Sequence, residues 1–502
     1  MSKVGFGLIN AIVVVVYLLF MLGVGSSFMK KASKNADAFF RAEGKLPGWA
    51  VGMSIFATTL SSITFMSIPE KSFTTDWAFA IGSLCIIPII PILMAYYVPF
   101  FRKLNVTTAY QYLEERFNPA IWTLSSLLFM IYHLGRIAVV IYLPVLAVAS
   151  VTTINPVLIA IGVGVICIVY TFLGGMEGVV WSDVIQGFVL LGGAGLIIIV
   201  GLTQIDGGMG TVVNDIASEN KFLSMANFNI SDLARFAPLI FFGQFFNSLY
   251  QYTGSQDVVQ RYSSTGSLKE TKQSLWITGG LGLLVIPLFF GMGSILYSFY
   301  KNNGGLPADF NTSALVPYFV LRQLPAGIGG LVIAGIFAAA QSTISSSLNS
   351  MSACFVIDFK QRFFNDKFKE MSDVALARWV IVIAGIVGTM ITIYFTSGNT
   401  SQTWEIFLTV SGLFGVPIAG VFALGIFTER ANGKGVMVGF VLSVILALWA
   451  NYIHISSMLV ATIAFVASFV FGYVASYFFP NDKKDIVGLT YSTRNEDYKG
   501  QS

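Results

Sequence analysis

The chain has 502 residues, of which 55% are hydrophobic and 11% charged, and its mean hydropathy is +0.75, whereas an average soluble domain is about 25% charged. Its 29 Lys plus Arg and 25 Asp plus Glu are too few to coat a soluble particle of this length, and a net charge of +4 spread along the chain forms no phosphate-tracking stripe. A soluble enzyme, a disordered chain and a nucleic-acid binder are therefore excluded, and an all-α integral membrane protein is expected.

A helix needs about 20 apolar residues to cross a bilayer. Taken in order, thirteen apolar runs predict spans, at 7–28, 49–68, 78–101, 120–150, 156–173, 179–202, 236–253, 275–299, 325–357, 379–395, 406–427, 435–453 and 457–479. The first is read as a retained span and not a cleaved leader. One lysine precedes it, its apolar stretch is long, and Lys30, Lys31 and Lys34 follow it. The loops after the odd-numbered spans through the eleventh, with the tail, hold 22 of the 29 basic residues. The opposite side holds six and one, Arg136, falls inside a span. The positive-inside rule then places the N-terminus outside and the C-terminus in the cytoplasm. The longest stretches between spans, 203–232, 300–324 and 358–377, are short enough to be helical caps or loops. The polar residues 480–502 are expected to form a mobile cytoplasmic tail.

Cys85, Cys167 and Cys354 lie in or beside apolar runs and read as small packing residues. His133 and His454 are far apart, and no zinc pattern or nucleophile–base pair is apparent, which argues against an enzyme.

Two formal charges stand well inside the runs, Arg136 and Asp183. Either costs about 2.5–3.5 kcal/mol at a helix centre. Either they pair with one another or Asp183 sits near the interface, or else Arg136 meets an anionic substrate and Asp183 a cation. The second run holds Thr58, Thr59, Ser61, Ser62 and Thr64 within ten residues, all weak helix formers that compete for backbone hydrogen bonds. That predicts either a helix break facing a cavity or a continuous helix whose hydroxyls bond back to carbonyls. In the ninth run Ser342, Ser345, Ser346 and Asn349 follow the spacing i, i+3, i+4, i+7 and share one helix face. A row of hydroxyls is either small-residue helix packing or, since hard cations prefer oxygen, a sodium site completed by carbonyls of a broken helix. Gly243, Gln244, Asn247 and Gln251 suggest that the seventh run is interrupted too. Broken helices with a midplane site are shared by secondary transporters, and spans 2–6 and 7–11 could form an inverted pair.

Tyr170-Thr-Phe-Leu-Gly-Gly-Met176, Val180-Trp-Ser-Asp-Val-Ile-Gln186 and Ala339-Ala-Gln-Ser-Thr343 resemble motifs of the sodium:solute symporter family. The segments 56–69, 255–262 and 337–342 resemble its bacterial sodium/sialic acid subgroup. The resemblance implies a leucine-transporter-like fold of five-plus-five inverted repeats, with 49–202 and 236–427 as the repeats, 7–28 and 435–479 as extra helices, and cotransport of sodium with sialic acid. Carried over by position, it implies a main sodium site on Ala57, Leu60, Ala339, Ser342 and Thr343. A second would use Asp183, Ser342, Ser345 and Ser346, so that two sodium ions are expected. The substrate carboxylate would meet Arg136, Ser61 and Thr64, with Thr59, Ser62, Phe79 and Phe246 around it. Ser83 stands where subgroup members carry Gln, which leaves room beside the sugar's variable substituents. A guanidinium suits a carboxylate better than a neutral solute would require, because it offers a two-pronged donor fork. A sodium-coupled carrier of another small organic acid, sugar or amino acid is the alternative, and an obligate protein partner is not expected.

Overall fold

A computed structural model describes residues 5–104, 106–233, 235–364, 366–397, 411–480 and 486–496. Among them, pairing of the β type is limited to a single bridge between Leu46 and Thr265. The principal helices are α1 (Leu8–Ser27), α2 (Gly48–Thr59), α3 (Ser62–Thr74), α4 (Ala78–Leu104), α5 (Pro119–Val151), α6 (Pro156–Thr203) and α7 (Gly208–Ser218). There follow α8 (Ala237–Thr253), α9 (Gln256–Tyr262), α10 (Leu268–Asn302), α11 (Ile328–Lys360), α12 (Asp373–Ser397), α13 (Val416–Phe427), α14 (Gly433–Tyr452) and α15 (Ser457–Ala475).

The starts of these helices are written locally. Asn118 and Asn155 each accept a backbone N–H, from Ile121 and Val157, and proline follows each at the first helical position, where no N–H is needed. Nine helices among the described residues are long and apolar enough to cross a membrane, or ten if the bent pair α2 and α3 is one span. The expected thirteen are thus not matched one to one by helix length. The 17-residue α8 falls short, part of the run 406–427 lies outside the described residues, and the runs 156–173 and 179–202 are joined in α6. As a straight rod the 48 residues of α6 would measure roughly 72 Å, over twice the ~30 Å hydrocarbon thickness. The rod is broken at Gly175, whose φ of 53° and ψ of −157° only glycine adopts readily.

The helices α6 and α11 form the centre. Nearly all of α11 from Gly329 to Cys354 is buried, which is why it is apolar or small all round. Helix α10 supports both halves of the broken second span through close glycine contacts. A Cβ on Gly52 would lie 2.6 Å from the Ser274 carbonyl oxygen, and one on Gly293 would lie 2.3 Å from that of Pro69. The three cysteines are buried and unpaired.

The expectation of a mobile tail is corrected for residues 486–496. Leu489 is fully buried, its carbonyl accepts from the Tyr112 hydroxyl at 3.0 Å, and the Tyr491 amide donates to Ile426 at 2.7 Å. One apolar side chain and an aromatic contact of Tyr491 with Tyr96 dock the segment against the end of α4 despite its polar composition.

Candidate functional site

The second span breaks between α2 and α3. Leu60 and Ser61 leave helical geometry, with ψ of 95° and 172°, and the two halves meet at a bend of 60°. Both alternatives posed by the hydroxyl-rich segment occur together: Thr59 Oγ1 bonds back to Ile55 and Phe56 at 3.0 Å, yet the helix still ends. The break releases carbonyls in mid-span, and neighbouring helices take them up. Ser342 Oγ donates to the Ala57 oxygen at 2.9 Å and to that of Ala339 at 3.2 Å. Thr343 Oγ1 donates to Thr58 at 3.2 Å and to Ala339 at 3.3 Å. The Ala57 and Ala339 carbonyls and the Ser342 and Thr343 hydroxyls therefore converge in one notch beside Leu60, which caps α2. A cluster of neutral oxygens of this kind suits a monovalent hard cation.

One turn deeper lies a charged layer. Asp183 is fully buried, and its Oδ2 accepts from Ser54 at 2.5 Å, from Arg261 at 2.8 Å and from Thr58 at 3.4 Å. The other oxygen, Oδ1, has no hydrogen-bond partner among the described residues. Ser346 Oγ lies 2.9 Å from Thr58 Oγ1 and accepts from Arg261 at 2.6 Å, while Ser345 Oγ donates to Ser342 at 3.2 Å. Arg136 Nη1 donates to Asp257 at 2.7 Å and its Nη2 to the Thr58 carbonyl at 3.0 Å. Hence Arg136 and Asp183 do not pair with one another. Each has its own buried partner, on α9, and both α9 charges were missed in the sequence.

That omission has a local cause. The seventh span is interrupted at Gly254 and Ser255, after the residues expected to interrupt it. Gly243, Gln244, Asn247 and Gln251 lie within the continuous α8, where Asn247 bonds back to Gly243 at 3.1 Å. The chain re-enters a helix at Gln256, and all seven residues of α9 are buried. Asp257 and Arg261, four apart, thus stand on one helix face inside the protein and not in a loop. Ser255 also donates to Asp257 at 2.5 Å and lies 3.3 Å from His133, whose other ring nitrogen is 2.8 Å from Ser347.

On the other side of the break is a cavity between α3, α4, α8 and α10. Of the expected substrate residues, Thr59, Ser61, Thr64, Phe79 and Ser83 line it. Ser62, Arg136 and Phe246 do not. Ser62 is buried and donates to Val140 at 2.7 Å, Arg136 lies behind the wall on Asp257, and Phe246 stacks on Phe465 with ring centres 4.4 Å apart. The cavity adds residues that sequence reading did not single out as binding groups: Ser67 and Lys71 on α3, Gln244, Ser248 and Gln251 on α8, and Thr278 on α10. Periodicity could have found the first two, since Thr64, Ser67 and Lys71 recur at one helical face.

The sequence matches the Sodium:solute symporter family over residues 39–443. It is 45% identical to the sodium/sialic acid symporter SiaT of Proteus mirabilis over 89% of this chain and 90% of that protein. It is 44% identical to the sodium/sialic acid symporter NanT of Aliivibrio fischeri, covering 90% and 89% of the two chains. The human sodium-coupled monocarboxylate transporter 1 is 30% identical over 86% of this chain and 70% of its own length. Among solved structures, the substrate-bound outward-open state of a Na+-coupled sialic acid symporter superposes with a TM-score of 0.89 at 42% identity, over 96% of this chain and all of that one. A structure of the nucleobase-cation-symport-1 transporter Mhp1 superposes with a TM-score of 0.58 at 15% identity, over 91% and 97% of the two chains, which is a likeness of fold. The fold is the leucine-transporter type expected from the sequence.

Proposed function

The chain belongs to the sodium:solute symporter family, and from this membership we propose that it couples inward sodium flow to the uptake of sialic acid by alternating access. It is a multi-pass membrane transporter and not an enzyme. The observation that carries the reading is the break at Leu60 and Ser61: neutral oxygens converge on one side of it, and on the other opens a largely apolar cavity with hydroxyl and amide side chains in its wall. The relatives named above, at 44% and 45% identity over nearly the whole chain, support the choice of solute.

In this reading one sodium is held by the carbonyls of Ala57, Leu60 and Ala339 and the hydroxyls of Ser342 and Thr343. A second is held by Asp183, Ser342, Ser345 and Ser346, with the unpartnered Asp183 Oδ1 as its charged ligand. Thr59, Ser61, Thr64, Phe79 and Ser83 line the solute path. Ser62 holds α3 on α5, and Phe246 holds α8 on α15, so both act by supporting that wall. The Arg136 guanidinium meets the carboxylate at the bottom of the path, where its Nη2 already grips the Thr58 carbonyl next to Thr59. Sodium bound in the notch fixes α2 against α11, so ion and solute raise each other's affinity by linkage. Two sodium ions with one monoanion move one positive charge, worth about 2.3 kcal/mol per 100 mV. Residues 49–202 and 236–427 act as the two repeats, with the N-terminus outside and the C-terminus in the cytoplasm of the bacterial inner membrane.

Uptake of labelled N-acetylneuraminate into proteoliposomes under an inward sodium gradient tests the proposal. Uptake that collapses when potassium replaces sodium is expected; equal uptake in potassium alone overturns it. Arg136→Met combined with Asp257→Leu, which removes both buried charges together, should abolish uptake while sodium still stabilises the purified protein. The 30% identity to a monocarboxylate carrier keeps another small organic acid as the second reading. Stronger competition by a short monocarboxylate than by unlabelled sialic acid would favour it.

A further inference from the structure

The cavity wall contributed by α3 runs outward from the break as Thr64, Ser67, Ile68 and Lys71, spaced i, i+3, i+4, i+7. From Ser61 to Lys71 is roughly 15 Å of helix, about half the ~30 Å hydrocarbon thickness. If the break lies near the midplane, Lys71 stands at the membrane surface, on the side that the charge bias assigns to the outside. Among the described residues it is the cationic side chain in the cavity wall, because Arg136 lies behind that wall on Asp257.

The ammonium of Lys71 is not neutralised locally. Among the described residues it has no carboxylate within 4.0 Å and makes no side-chain hydrogen bond; Nζ stands 5.4 Å from the centre of the Phe79 ring, itself a lining residue. The nearby carboxylates are committed elsewhere. Glu70 accepts from Thr312 at 2.6 Å and from Ser313 at 3.2 Å, and Asp76 accepts from the Ala78 amide at 2.9 Å and from Asn227 at 3.0 Å. A half-buried cation above an apolar ring, at the mouth of a cavity with low-dielectric walls, focuses potential on anions that approach it.

We propose that Lys71, seated on Phe79 at the outer end of the cavity, is the residue that captures the carboxylate of the incoming acid before it passes down the hydroxyl face of α3. This rests on the sialic acid reading above and adds a recognition step to it. A buried guanidinium already held by Asp257 and Thr58 attracts little from bulk solvent, since its field is offset by its partner. The half-buried, unpaired ammonium of Lys71 gathers the anion first, and its flexible stem lets go without the two-pronged geometry of an arginine.

The test uses the full chain in proteoliposomes with sodium held constant and ionic strength raised by choline chloride. Lys71→Gln and Lys71→Met should raise the KM for labelled N-acetylneuraminate on the order of fivefold at low ionic strength and leave Vmax and the sodium activation constant near wild type. The difference from wild type should shrink as choline chloride is added, and Lys71→Arg should restore most of the KM. Sodium-dependent thermal stabilisation of each variant establishes that it is folded. An unchanged KM in both neutral variants, or a loss confined to Vmax, overturns the role of Lys71 while wild-type uptake leaves the sialic acid reading intact. Failure of the wild-type chain to take up the acid overturns that reading, and the Lys71 assignment with it.

Discussion

The two helix breaks, one between α2 and α3 and one between α8 and α9, solve the same problem with different chemistry. Each leaves backbone groups unpaired in an apolar interior, where every orphan is costly. At the first break the groups that meet the Ala57 and Thr58 carbonyls are mostly neutral, hydroxyls of α11 with one guanidinium N–H of Arg136 on Thr58, and a cavity adjoins them. At the second, Asp257 and Arg261 enter the interior with α9 and lock onto Arg136 and Asp183. Neutral oxygens can exchange a hydroxyl proton donor for a cation at little cost. Charged pairs cannot, because separating them leaves a bare charge in a low-dielectric medium. The first break is suited to reversible binding, and the second to holding α5, α6 and α9 in one arrangement.

The largest effect should come from the charged break. Asp257→Ala leaves Arg136 uncompensated and should destabilise the fold by about 3–5 kcal/mol, read as a lowered unfolding temperature in detergent. The double variant Arg136→Met with Asp257→Leu should regain most of that stability and still not transport. If the double variant is as unstable as the single one, the ion pair is not what holds α9.

At the neutral break, Ser342→Ala combined with Thr343→Val should fold normally but weaken the apparent sodium affinity at least about tenfold, equivalent to about 1.4 kcal/mol. Sodium-activation curves of uptake measure this. A similar loss of sodium-free thermal stability would mean that these hydroxyls serve packing, and the contrast between the breaks would fade.

Asp183→Asn touches both regions, since Asp183 pairs with α9 and lies beside the hydroxyl row. It should reduce the charge moved per solute and the steepness of sodium activation, with a smaller change in maximal uptake. Unchanged values of both would remove the second ion.

The smallest effect lies outside the membrane, where α7 is clasped to the end of α10. Burial raises the Asp215 pKa, but hydrogen bonds from Ser298, Lys301 and Asn302 outweigh it and hold the carboxyl below its ordinary value. A depressed carboxyl pKa contributes stability that is present above the unfolded-state value of about 3.9 and is lost as pH falls through the folded value. Protection of the amides in 208–218, taken as the exchange rate relative to the intrinsic rate at the same pH, should therefore be constant from neutral pH to about pH 5 and fall only in more acidic buffer.

The sequence by itself determined the helical membrane class, the hydroxyl face of α11 and the weak point in the second span. These are local facts: composition decides the solvent, a 3.6-residue period decides a face, and clustered hydroxyls undermine a helix where they stand. Only the tertiary structure decided which charges pair, that α9 is interior, that Arg136 sits behind the cavity wall and Lys71 within it, and that residues 486–496 dock. Arg136 and Asp257 are 121 positions apart, and Asp183 and Arg261 are 78 apart. Spacing along a chain carries no information about such partners, because Coulomb attraction and burial act through space on whatever the packed helices bring together.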